Sequence, residues 1–162
     1  MILVMIFTNS VSRVFELAAV VTMKTRRAVQ YWLRPFGITV NQYGALMALT
    51  YGDGMTQREL ADRLETDTTT AMVICDGLEK KELIQRVRES GDRRANHLRI
   101  TEKGRITIHD AAAAVEQSAL PLAEVLTDEE ITSVTPLLGR LAVVAGELLH
   151  EASQGKRNGD NK

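Results

Sequence analysis

The stretch Thr56-Gln-Arg-Glu-Leu-Ala-Asp-Arg-Leu64, Glu65-Thr-Asp-Thr-Thr-Thr70 and Ala71-Met-Val-Ile-Cys-Asp-Gly-Leu78 decides the fold. In Thr56-Gln-Arg-Glu59 the hydroxyl can accept from the amide three residues on while the glutamate reaches back, and Met55 can staple onto Leu60. A helix therefore opens at Gln57. It is short, because residues 65–70 are turn and cap formers, and helical period resumes only with Ala71, Ile74, Cys75 and Leu78. Thr68, Thr69 and Thr70 cap and start this second helix, with hydroxyls that also suit phosphate or base edges. Leu60, Ala61 and Leu64 must pack against Ala71, Ile74 and Leu78, and the small Ala61 permits a close crossing.

Outward from this pair, Leu83 to Arg88 loses helical period, Glu89-Ser-Gly-Asp-Arg-Arg94 reads as a turn, and Leu98 and Ile100 alternate with His97 and Arg99. Helix, short helix, turn, helix, hairpin is the order of a winged helix-turn-helix, whose second short helix enters the DNA major groove while the hairpin reaches the neighbouring backbone or minor groove. A plain helical hairpin with a β-turn is the competing reading. Upstream, Val11 to Leu33 carries apolar residues at three- and four-residue steps, ended by Pro35 and Gly37. Thr39-Val-Asn-Gln42 is a second capping box, opening a helix from Val40 to about Thr50. Downstream, Thr101 caps a helix through Ala111–Ala114 toward Leu120, where Pro121 limits or kinks it. Thr127-Asp-Glu-Glu130 opens a last helix with the stripe Ile131, Val134, Leu138, Leu141, Ala145 and Leu148, and the polar residues 153–162 read as a disordered tail.

The fold class is thus mainly α with a small β-hairpin wing. A single domain over 1–162 holds a winged helix-turn-helix lobe at 38–104 and a helical dimerisation base from 11–34 and 105–150. At 162 residues and 44% hydrophobic, the chain can bury one proper core. One cysteine, Cys75, allows no internal disulfide and no thiol cluster for zinc, in keeping with a reducing cytoplasm. Cys75 shares the apolar face with Ile74 and Leu78 and reads as a buried small hydrophobe rather than a reactive thiol. The apolar run Met1 to Phe7 is too short to span a bilayer and lacks signal-peptide flanks, so it is expected to pack on a neighbour, with no membrane partner.

The net charge is −1, but residues 80–105 hold nine basic against four acidic residues, a local +5 that leaves −6 for the rest. A basic patch in an acidic chain is the footprint of phosphate contact. His97, His109 and His150 lack metal-ligand spacing, and no phosphate loop, nucleophile elbow, His-Glu-x-x-His helix or paired acid and base occurs. No enzyme, catalytic residue, metal or cofactor is expected.

Thr56-Gln-Arg-Glu-Leu-Ala-Asp-Arg-Leu64, Leu78-Glu-Lys-Lys-Glu-Leu-Ile-Gln-Arg86, Gly91-Asp-Arg-Arg94 and Leu98-Arg-Ile-Thr-Glu-Lys-Gly104 together resemble successive signatures of the multiple antibiotic resistance regulator (MarR) family. The resemblance covers nearly the whole chain. It implies a homodimer interlocked through the first and last helices, in which Asp92 orients the wing and Arg93 and Arg94 contact DNA, Arg94 in the minor groove. With Arg88 and the helix residues Thr68, Thr69, Thr70, Met72 and Val73, these form the expected DNA-binding set. The chain departs from the family at Met72 and Val73, where Ser or Thr followed by Arg is usual, and at Gly77, where a basic residue is common. Glu82 replaces the glycine of a left-handed helix cap, which leaves either strain at Glu82 or a different helix end. Tyr31, Trp32 and Phe36 either line a pocket for a small phenolic or other aromatic ligand, as in many relatives, or pack in the core. The function expected is a sequence-specific double-stranded DNA-binding regulator, a ligand-responsive repressor acting as a homodimer on an inverted repeat. The alternative is a winged-helix interaction module that does not read DNA.

Overall fold

A computed structural model describes residues 10–52, 54–88 and 96–159. Its elements are α1 (Ser10–Leu33), a single 3-10 turn at Arg34–Phe36, α2 (Val40–Tyr51), β1 (Met55–Thr56), α3 (Gln57–Arg63), α4 (Thr68–Glu79), β2 (Ile84–Arg88), β3 (Asn96–Ile100), α5 (Glu102–Ala123) and α6 (Asp128–Gly159). Two compact units share them: residues 1–118, and residues 119–162.

All three capping boxes form. The Gln42 amide donates to Thr39 Oγ1 and the Thr39 amide to Gln42 Oε1, each at 3.2 Å. The Thr56 amide lies 2.6 Å from Glu59 Oε2, and the Thr127 amide 2.9 Å from Glu130 Oε2. Between α1 and α2, Pro35 sits in the 3-10 turn and Gly37 closes it at φ 65°, donating to the Arg34 carbonyl at 3.0 Å. That left-handed conformation is one glycine adopts without a Cβ clash.

The hairpin strands pair antiparallel with Ile84 opposite Ile100 and Arg86 opposite Leu98. Two residues join them as a third strand, with Met55 opposite Leu98 and Thr56 opposite His97, giving the order β1-β3-β2. Inward-facing Leu98, Ile100 and Ile84 meet Leu46 and Leu49 of α2, Leu60 of α3, and Ile74, Cys75 and Leu78 of α4 in one buried cluster. Leu33 at the end of α1, and Ile108 and Ala111 of α5, belong to the same cluster. The lobe therefore extends past the expected 38–104: it borrows the end of α1 and the first turns of α5.

Helix α5 starts hard against the sheet. A Cβ on Gly104 would lie 2.1 Å from the Leu83 carbonyl oxygen, so only glycine fits. Pro121 stands in the final turn, and α5 ends two residues later at Ala123. Helix α6 continues to Gly159, past the point where a disordered tail was expected. The polar Gln, Lys and Arg there have good helix propensity, and extending an existing helix avoids the cost of nucleation; residues 160–162 lie outside the described part.

Candidate nucleic-acid interface

Helix α4 divides cleanly into two faces. Ala71, Ile74, Cys75 and Leu78 are buried, whereas Thr68, Thr69, Met72 and Val73 are exposed, Met72 at 45% and Val73 at 65%. The helical register read from Ala61, Ala71 and Ile74 is the observed one, and it turns both apolar residues to the outside. The cap, however, falls one residue before the threonines. Asp67 is the N-cap: its carboxylate accepts from the Thr70 amide at 2.8 Å and the Thr70 hydroxyl at 2.7 Å. Both bonds hold the Asp67 carboxyl below its ordinary range. Thr70 is thereby tied to its own helix, and Thr68 and Thr69 are the exposed hydroxyl residues of the first turn.

The far end of α4 closes in a Schellman motif: the Leu83 amide donates to the Leu78 carbonyl at 3.0 Å and the Glu82 amide to the Glu79 carbonyl at 2.8 Å. Glu82 takes φ 60°. The chain thus accepts the strain of a non-glycine residue, about 1 kcal/mol, because burying Leu78 and Leu83 on either side fixes the turn. Lys103 reaches the Glu82 carboxylate at 2.9 Å and lowers its pKa.

Gly77 has its own reason. A Cβ there would stand 2.5 Å from Nε2 of Gln42, a buried polar side chain. Lys81 then donates to Gln42 Oε1 at 2.7 Å and to the Gly37 carbonyl at 2.6 Å, binding the end of α4 to the α1–α2 junction. Gly77 accordingly faces α2, where any side chain would have to displace Gln42.

Several members of the basic patch are spoken for. Besides Lys81 and Lys103, Arg86 extends from β2 to Asp76 Oδ1 at 2.6 Å and to the Glu79 carboxylate. Sequence reasoning missed this pairing and the Asp67 cap; an arginine on the same strand face as Ile84, next to two carboxylates three residues apart, is the signal that could have found the first. Arg88 ends β2 opposite Asn96. Asp92, Arg93 and Arg94 lie outside the described residues.

Cys75 is fully buried, and burial pushes its thiol pKa up, the environment of an inert cysteine. His97 sits in β3 with Nδ1 2.5 Å from the Gly54 carbonyl, a structural tie. Among the described residues no group of His, Cys, Asp or Glu could hold a metal ion.

The MarR family model matches residues 36–95, from the α1–α2 junction into the wing. The HTH-type transcriptional repressor MdtR of Bacillus subtilis is 28% identical over 67% of this chain and 70% of its own length. CouR from Rhodococcus jostii, bound to p-coumaroyl-CoA, superposes with a TM-score of 0.73 at 26% identity, over 84% of this chain and 96% of its own. A structure of the repressor CouR on a 23-mer DNA duplex gives a TM-score of 0.73 at 25% identity, over 81% and 91% of the two chains. The chain resembles the MarR family, whose model covers most of its winged lobe. The fold is a winged helix-turn-helix, and the likeness is to DNA-binding transcription regulators, not to enzymes. In the winged helix-turn-helix, α4 holds the place of the recognition helix and β2–β3 that of the wing.

Beyond the lobe, the chain exposes large apolar side chains on two helices. Val14, Phe15, Leu17 and Val21 stand out from α1, and Ile131, Val134, Leu137, Leu138, Val144 and Leu148 from α6. By length and composition Asp128–Leu148 could cross a membrane, but its apolar residues form a stripe beside Glu129, Glu130, Arg140 and Glu147. Such a stripe suits a helix partner better than a lipid bath. At the end of α1, Tyr31 and Trp32 are exposed and meet edge to face with centroids 6.3 Å apart, while Phe36 packs on the core.

Proposed function

We propose that the chain is a sequence-specific repressor that acts as a cytoplasmic homodimer on an inverted-repeat operator and releases it on binding a small aromatic ligand. The exposed first half of α4 carries this reading: Thr68, Thr69, Met72 and Val73 form a base-reading surface while the rest of the helix anchors in the core. Arg88, Arg93 and Arg94, with Asp92 orienting the wing tip, supply the phosphate and minor-groove contacts. The bare stripes of α1 and α6 support a second copy as the partner, since their burial would contribute about 25 cal/mol per Å². Two recognition helices held about 34–36 Å apart then match half-sites one helical turn apart.

A ligand can act through α1. A cleft of about 270 Å³ between α1 and the start of α2, lined by Arg26, Arg27, Gln30, Thr39, Val40 and Asn41, adjoins the Gln42–Lys81 link to α4. Two arginines suit the carboxylate of a small aromatic acid, and the neighbour CouR is bound to p-coumaroyl-CoA.

Selection of bound duplexes from a random library tests the central claim, with an inverted repeat as the expected product. If no sequence is enriched, the protein does not read DNA and an interaction module is the better description. Arg93→Ala with Arg94→Ala should weaken binding and flatten the log–log salt dependence by roughly two units. Unchanged affinity and slope would remove the wing from the interface.

A further inference from the structure

Between Thr68 and Glu79 the recognition helix has no basic residue and two acidic ones, Asp76 and Glu79. Three residues apart, they share a side of the helix, and Asp76 follows Met72 by one turn on the exposed face. Their side chains remain 48% and 41% accessible. A helix laid into the groove of a polyanion with two unpaired carboxylates would be repelled along its length. Arg86 meets both. It reaches from the strand that leads into the wing, is only 23% accessible, and donates Nη2–H to Asp76 at 2.6 Å and Nη1–H to Glu79. Hydrogen bonding to Asp76 raises the Arg86 pKa, keeping the guanidinium charged.

We infer that Arg86 is a positioning residue for DNA binding: it masks the acidic pair of the recognition helix and fixes that helix against the wing strand, so that both can engage one duplex. The inference rests on the reading that α4 enters the groove. One planar guanidinium can serve two carboxylates on separate N–H arms, which a lysine ammonium on a flexible stem cannot do with the same geometry. Arg86 itself, held by the two carboxylates, makes no contact with DNA in this role.

The test uses the duplex recovered by library selection and fluorescence anisotropy at several salt concentrations, with thermal melting to show that each variant folds. Arg86→Ala should bind about tenfold more weakly at low salt, since two unmasked carboxylates then face phosphate. Adding Asp76→Asn and Glu79→Gln to Arg86→Ala should restore affinity to within about threefold, because the repulsion is gone. A triple variant as weak as Arg86→Ala would mean that Arg86 acts only through packing, and would overturn the inference. Should Arg86→Ala fail to fold, Asp76→Asn with Glu79→Gln decides. Freeing the guanidinium in both protomers should tighten binding and steepen the salt slope by about two units. An unchanged slope overturns the inference. If the unmodified protein enriches no duplex, the groove reading falls and the inference falls with it; if it does, the Arg86 variants judge the inference alone.

Discussion

Helices α4 and α6 both carry an apolar stripe, and the two stripes meet opposite fates. In α4, Ala71, Ile74, Cys75 and Leu78 are at most 7% exposed, packed beneath the sheet and α2. In α6, Ile131, Val134, Leu138, Val144 and Leu148 range from 37% to 53%. Apolar period commits a residue to burial without saying against what. The lobe answers from within its own unit; for α6, and for most of α1, the proposed answer is a second copy of the chain.

A charge placed in the outer stripe should break the comparison most severely. Leu141→Glu puts a carboxylate in the proposed interface, and the dimer dissociation constant should rise about a hundredfold or more, read by light scattering. The unmodified protein should also melt at higher temperature as its concentration rises. A monodisperse monomer at micromolar concentration would show that the α6 stripe is not a dimer surface.

Leu78→Ala strikes the inner stripe. Its side chain is fully buried, so the loss should be about 2–5 kcal/mol by urea unfolding. Unlike the effect of Leu141→Glu, this loss should be the same at every protein concentration. A concentration-dependent loss would mean that the two stripes belong to one interface.

Acid provides a gentler separation. Asp67, Glu59 and Glu130 all have carboxyls lowered by the amides and hydroxyls they cap. A carboxyl depressed in the folded state contributes stability that is present above its unfolded pKa, about 4, and is lost as pH falls through the folded value. Stability should therefore decline below about pH 4. Asp67→Asn keeps an acceptor at the cap and removes its titration, so the decline between pH 5 and pH 3 should be smaller in that variant. An identical decline would assign the acid sensitivity to other groups.

What could be read from residue order was what neighbours decide. Capping boxes at Thr39, Thr56 and Thr127 involve residues three apart, and each formed as read. At 67–70 four consecutive residues could each cap a helix, and only packing of Ala71 and Ile74 into the core selects Asp67. Strand β1 has two residues and pairs with a strand more than forty positions away, which leaves no periodic trace. Residue type argued against a left-handed Glu82, but the buried pair Leu78 and Leu83 outweighs about 1 kcal/mol of strain. The Arg86 clamp joins a strand to a helix seven and ten residues earlier, and the carboxylate spacing becomes a signal only once the turn at Glu82 is known to fold the strand back along the helix.

The smallest predicted effect concerns the outward face of α4 itself. Met72 and Val73 are exposed where base edges would lie, and neither can make the bidentate hydrogen bonds by which arginine reads guanine. The apolar feature on the major-groove floor is the thymine methyl, so these residues should favour thymine there, with Thr68 or Thr69 adding less selective hydrogen bonds. Wing arginines would then favour a narrow, A·T-rich minor groove beside each half-site, adding readout of shape to weak readout of bases. Replacing single operator thymines by uracil deletes only the methyl. At one or two positions per half-site affinity should fall about two- to fourfold, the worth of one buried methyl group. Loss at these positions should vanish in Met72→Ala with Val73→Ala, because the partner surface is gone. If every uracil substitution is silent while specific binding persists, the exposed residues of α4 do not touch the groove floor, and specificity comes from shape alone.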